Sequence, residues 1–232
     1  MGEKSGELNR SMMIVVLFSF AIIIALSFIP IAKYLLYPFK LFSTFIHEMC
    51  HGLAAILTGG KWIRFTVGAD GSGLAWTAGG LRTLIIPAGY LGTSLIGGIL
   101  LFMSGRKSNR ANAILFVMGI ILAAITVIFA RNTTAVLVGL GFGVVLCLVG
   151  MFSRGFFPAF LLNFLAVNLS LNALLDVKTL FFHTTGGMGR NDAVAMNHEI
   201  LGIGNVTWAV LFVLFSIFIT WGFLRKSLKK NA

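Results

Sequence analysis

Long apolar runs separated by short polar breaks make up most of this chain. Runs long enough to cross a bilayer as a helix, about 17–25 residues, occupy Ser11–Ala32, Leu35–Leu57, Thr83–Ser104, Ala111–Ala130, Thr133–Phe152, Pro158–Phe181 and Val206–Leu224. This pattern predicts an all-α polytopic membrane protein of seven transmembrane helices, or six if one run is re-entrant. Connections such as Gly105–Arg110 and Arg131–Asn132 are so short that the runs they join must be antiparallel. The first run is longer than the roughly 7–15 apolar residues of a signal peptide and lacks a small-residue cleavage site. It therefore reads as an uncleaved first span.

Two segments depart from the pattern. Lys61–Gly80, KWIRFTVGADGSGLAWTAGG, holds two β-prone runs, Trp62–Val67 and Leu74–Thr77, around the turn-rich stretch Gly68–Gly73. It predicts a small β-hairpin between the second and third spans. His183–Asn205 is polar and glycine-rich and reads as a loop between the sixth and seventh. Within the spans, Gly89, Gly92, Gly97, Gly98, Gly139, Gly141 and Gly143 read as close-packing positions, with Gly139 and Gly143 forming a GxxxG pair. No repeat or linker is visible, so residues 1–232 read as one transmembrane domain.

Composition agrees with this pattern. Of 232 residues, 58% are hydrophobic and 11% charged, against roughly 25% charged in a soluble domain; the mean hydropathy is +0.96. The formal net charge of +11 comes from basic residues scattered in short connections and one cluster, Arg225, Lys226, Lys229 and Lys230. No basic face interleaved with aromatics appears, as nucleic-acid binding would need. The expected partner is the bilayer, and the terminal cluster favours a cytoplasmic C-terminus. Cys50 and Cys147 both lie in apolar runs and form neither a disulfide framework nor a CxxC pair. Cys50 reads as a packing residue.

The chemistry sits in the second span. The chain has only seven acids and four histidines, and three of these fall together in FIHEMCHGLAAILTGG, as His47, Glu48 and His51. Ionisable residues inside a membrane are functional by default. On a helix, residues four apart share a face, so both imidazoles can reach one cation. HExxH is a recognised form of hydrolytic zinc site, with two histidine ligands and a glutamate general base. A catalytic zinc takes a third protein ligand. The extended pattern HExxHxxGxxH is absent, since Ala54 and Leu57 stand where it needs glycine and histidine, and no Glu occurs between Glu48 and Glu199. Asp176 is the first candidate, being the sole acid within the other six runs. It shares a helical face with Asn168 and Asn172 in the run 158–181. His183, Asp192 and His198, all in the predicted loop, are the alternatives.

HExxH in one span and an Asp on a late span resemble the site-2 protease family of intramembrane zinc metalloproteases, and most closely its compact bacterial members. The likeness runs from about Phe45 to Trp208. It takes in HEMCHGLAAILTGG, the glycine-bearing hairpin, PAGYLG at Pro87–Gly92 and NALLDV at Asn172–Val177. The resemblance implies Zn²⁺ held by His47, His51 and Asp176, Glu48 as general base, and Asn172 in substrate or oxyanion positioning. It also implies a bacterial inner-membrane location. The family's later motif reads Leu-Asp-Gly, whereas Val177 follows Asp176 here.

The expected function is hydrolysis of peptide bonds in membrane-embedded or membrane-proximal segments. A helix crossing lipid has its backbone bonds internally satisfied, so a substrate must unwind, and a hairpin edge could hold it by strand addition. Two other classes stand beside this one. A catalytically inactive zinc-binding regulator would give Glu48 no chemical role. A metal transporter would line a route with ionisable groups on several helices, yet the third, fourth, fifth and seventh runs carry none in their interiors.

Overall fold

The computed structural model describes residues 32–104, 108–175, 192–200 and 203–230, with Phe18 and Ala21 as isolated helical positions before them. In chain order the elements are α1 (Ala32–Leu57), β1 (Lys61–Val67), β2 (Gly73–Ala78), α2 (Arg82–Ile85) and α3 (Ala88–Ser104). They continue with α4 (Ser108–Phe129), α5 (Thr133–Phe152), α6 (Phe156–Leu175), α7 (Asp192–Glu199) and α8 (Asn205–Lys230).

Among the described residues, three helices are long and apolar enough to cross a membrane: Arg110–Phe129, Thr133–Phe152 and Asn205–Ser227. Two shorter apolar helices, Ala88–Ser104 and Phe156–Leu171, accompany them. The expected span Ser11–Ala32 lies outside the described residues apart from single positions. α1 has the length to span, but Lys40, Ser43, Thr44, His47, Glu48 and His51 make it more polar than these three.

The run Thr83–Ser104 is not one helix. Pro87 has no backbone N–H to continue a helical ladder, so the chain forms the single turn α2 and restarts as α3, where Pro87 accepts from Leu91 N–H at 3.0 Å. The segment 183–205 likewise holds more than a loop. Ala193, Met196 and Ile200 recur at helical spacing and pack inward, which carries α7 across it. α5 has the boundaries that its apolar run predicts, because Asn132 caps its start by accepting from Ala135 N–H.

α4 packs along α5, and α3 packs between α6 and α8. Small residues set these distances: Gly143 lies against the Gly119 carbonyl, and Gly97 against Ser170 and the Ala166 carbonyl. The main core joins α1, β1, α4, α5 and α6 through Phe42, Phe45, Phe65, Leu115, Leu146 and Leu165, all buried. A second, smaller cluster of Ile86, Tyr90, Ala193, Met196, Ala209 and Phe212 unites α3, α7 and α8.

The hairpin folds back along α1. β1 and β2 pair antiparallel from Lys61↔Ala78 to Val67↔Gly73, with an irregularity between Trp62 and Arg64. Gly71, at φ +87°, makes the reversal possible. Asp70 closes the turn by accepting from Ser72 Oγ (2.6 Å) and Ser72 N–H (2.9 Å). Those two bonds hold its carboxyl below the usual carboxylate range. Three side chains on one face of α1 then grip consecutive turn carbonyls. Tyr37 Oη donates to Ala69, Lys40 Nζ to Asp70 (3.1 Å) and Thr44 Oγ1 to Gly71 (3.0 Å). Trp62 lies over Gly52, where a Cβ would strike the indole, and stacks on Phe129 with centroids 3.9 Å apart.

The two edges of this sheet differ. The outer edge of β1 is covered by the α4–α5 connection. Arg131 N–H donates to the Phe65 carbonyl (3.1 Å), and the Asn132 amide both accepts from Val67 N–H (3.2 Å) and donates to the Val67 carbonyl (2.7 Å). Because the Phe65 carbonyl points outward, Phe65↔Ala75 is a non-hydrogen-bonded pair. Ala75 therefore turns its own N–H and C=O toward the other edge, that of β2, where α1 lies.

Candidate metal centre

α1 places His47 and His51 one turn apart on one face. Their Nε2 atoms lie 3.1 Å from each other. A carbonyl oxygen can only accept, so the 2.7 Å contact between His51 Nδ1 and the Ile85 carbonyl makes Nδ1 the N–H of that ring. This leaves Nε2 as the nitrogen free to bind a metal, in the arrangement that orients histidine ligands generally. Glu48 is buried beside them. Ligand atoms of His47, Glu48 and His51 all lie within 4.8 Å of one another.

The third group comes from α7. Asp192 Oδ2 stands 3.0 Å from His47 Nε2 and 3.3 Å from His51 Nε2. Burial raises this carboxyl, but the charge of His51 and hydrogen bonds from both rings outweigh it. Asp192 is held well below the usual carboxylate range. A metal binding there takes the place of the ring protons, as histidine ligands require.

The geometry suits zinc. Ligand atoms about 2.0–2.1 Å from a tetrahedral ion sit about 3.3 Å from each other, and the three observed separations are 3.1, 3.0 and 3.3 Å. The donor set of two imidazoles and one carboxylate is also a zinc set. Space for an ion comes from Gly89 on α3, where a Cβ would collide with Nε2 of both His47 and His51.

Glu48 points toward the hairpin. A Cβ on Gly73 would collide with its carboxylate, and Ala75 offers it a backbone N–H. The acid nearest the two imidazoles in sequence thus sits against the edge of β2 that faces α1. Tyr90 supports the other side, its ring edge-on to His47 at 4.7 Å and stacked with Phe212 at 6.0 Å.

The remaining candidates fall in different places. Asn168 is buried on the interior face of α6 and accepts from Ser43 Oγ at 2.6 Å, one turn before His47. Asn172 follows one turn along α6, and its side chain lies outside the described residues. Asp176 and His183 also lie outside the described residues. His198 is exposed near the end of α7. Cys50 is buried against Gly92 and Thr93, in a packing position.

Sequence reasoning passed over Gly73 and Gly89 as site residues and assigned Gly89 to plain helix packing. The backbone carbonyl of Ile85 was invisible to it. For Asp192 a signal existed: an acid opening a stretch with Ala193, Met196 and Ile200 at helical spacing.

Fold and site together define a helical membrane protein bearing a metallopeptidase-type His-Glu-His group. Residues 14–223 match the Peptidase M50B-like family, and the chain belongs to that family, within the site-2 proteases. No curated protein and no solved structure matches the chain.

Proposed function

We propose that the chain is a zinc metalloendopeptidase that cuts membrane-embedded or membrane-proximal peptide segments. The observation that carries this reading is the convergence of His47, His51 and Asp192 on one point, with Glu48 between that point and a strand edge.

His47 and His51 hold the metal, and Asp192 is the third ligand favoured by the geometry. Asp176, the first candidate from sequence, is the alternative acid, and Asn172 retains its proposed role in substrate positioning. Zinc, when bound, supplies Lewis acidity toward water and a peptide carbonyl. Glu48 accepts the proton of the attacking water and returns it to the leaving nitrogen. Its place beside Gly73 and Ala75 puts that transfer next to the backbone edge of β2. A substrate unwound from its helix pairs there, because β1's own edge is taken by Arg131 and Asn132.

The test is Glu48→Gln. The variant should keep one zinc per chain and lose cleavage of a membrane-anchored peptide library by about a thousandfold or more. Equal cleavage by wild type and variant contradicts the protease reading and leaves the inactive metal-binding regulator.

A further inference from the structure

We propose that the Arg82–Glu199 ion pair is a positioning clamp of the metal centre. The proposal rests on Asp192 being a ligand. Arg82 opens α2, and the same short turn ends at Ile85, whose carbonyl fixes His51 Nδ1 at 2.7 Å. Glu199 closes α7, and the same helix opens with Asp192, whose carboxylate meets both imidazoles. Arg82 Nε reaches Glu199 Oε2 at 2.9 Å. The ion pair therefore completes a ring through His51, Ile85, Arg82, Glu199 and Asp192 and back to His51.

The ring matters because α7 cannot hold itself. Eight residues are too few for a helix to be stable alone in water. Besides Asp192 on the two imidazoles, contacts from the rest of the helix tie it down. Ala193 and Met196 are buried against the cluster of Ile86, Tyr90 and Phe212. Asn197 Oδ1 accepts from Gly204 N–H at 2.9 Å. Arg82 takes Glu199. The apolar contact lets α7 rest on α3 and α8, while the ion pair sets where along that seat it stops. Metal ligands tolerate displacements of only about 0.2 Å, so a shift of α7 should register in zinc affinity before it registers in folding.

The experiment is a charge-reversal cycle on the full-length chain in detergent, read as the zinc dissociation constant by chelator competition. Arg82→Glu and Glu199→Arg should each weaken zinc binding by roughly threefold to fivefold, the upper end of the scale of one exposed ion pair. The double variant should return to within about twofold of wild type. Unchanged zinc affinity in both single variants overturns the proposal, even if their melting temperatures fall. Failure of the double variant to recover also overturns it, because the effect then does not belong to the pair. A wild-type chain that binds no zinc defeats the proposed function instead, and the two failures are distinguishable.

Discussion

Glycine serves opposite ends in two regions of this molecule. Between α4 and α5, Gly119 and Gly143 bring backbones together, and a Cβ on Gly119 would press on the Gly143 carbonyl and on Cys147. Around α1, Gly73 and Gly89 keep space open for ionisable side chains: Gly89 for the two imidazoles and Gly73 for Glu48. The first use buries apolar surface and stabilises the bundle. The second contributes little packing and makes a functional group possible. A GxxxG spacing, Gly139 and Gly143 on α5, reveals one member of the first kind from its own helix. The second kind has no local pattern, because the group it accommodates comes from another element.

Substitutions can separate the two regions, starting with the largest effect. Gly89→Ala should reduce bound zinc to below about a tenth of wild type by filling the metal position, since small-to-large changes in a packed site are poorly absorbed. Metal analysis of protein with unchanged helical circular dichroism checks this. Gly119→Ala should do the reverse. It should keep full zinc and lower unfolding stability in detergent by about 1–3 kcal/mol.

Ala75→Pro sharpens the role of the β2 edge. It removes an N–H from β2 that β1 does not use and that serves Glu48, so the hairpin and the zinc should persist while the base and the substrate edge are both disturbed. Cleavage should fall by about a hundredfold, as misplacement of a substrate typically costs. Gly73→Ala should act more mildly, lowering turnover by about tenfold through displacement of the Glu48 carboxylate, with zinc retained. The smallest effect is expected at Gly141, where a Cβ meets nothing within 4 Å. Gly141→Ala should leave zinc and activity unchanged and raise stability by up to about 1 kcal/mol through helix propensity.

Much of this architecture was legible in the sequence because it is written locally. His47, Glu48 and His51 occupy one helical turn. The hairpin's strands flank an obvious turn at Gly68–Gly73, and α5 begins and ends where its apolar run does. What escaped depends on long-range or backbone features. Pro87 divides an apolar run whose hydropathy alone looks continuous. α7 is short and lies in a polar stretch, so Asp192 ranked behind Asp176, whose long apolar run predicts a regular helical face. The Ile85 carbonyl that fixes His51 belongs to the main chain, and no side-chain pattern announces it. The asymmetry of the hairpin edges needs Asn132, far along the chain from Val67, to be seen beside it.

The central claim is that His47, His51 and Asp192 together hold one zinc ion. Its most direct measurement is metal content per chain in wild type, His47→Ala, Asp192→Ala and Asp176→Ala, each purified in detergent and dialysed against a weak chelator. The account predicts one zinc in wild type and in Asp176→Ala, and almost none in His47→Ala and Asp192→Ala. Full zinc in Asp192→Ala with loss in Asp176→Ala contradicts it and makes Asp176 the third ligand.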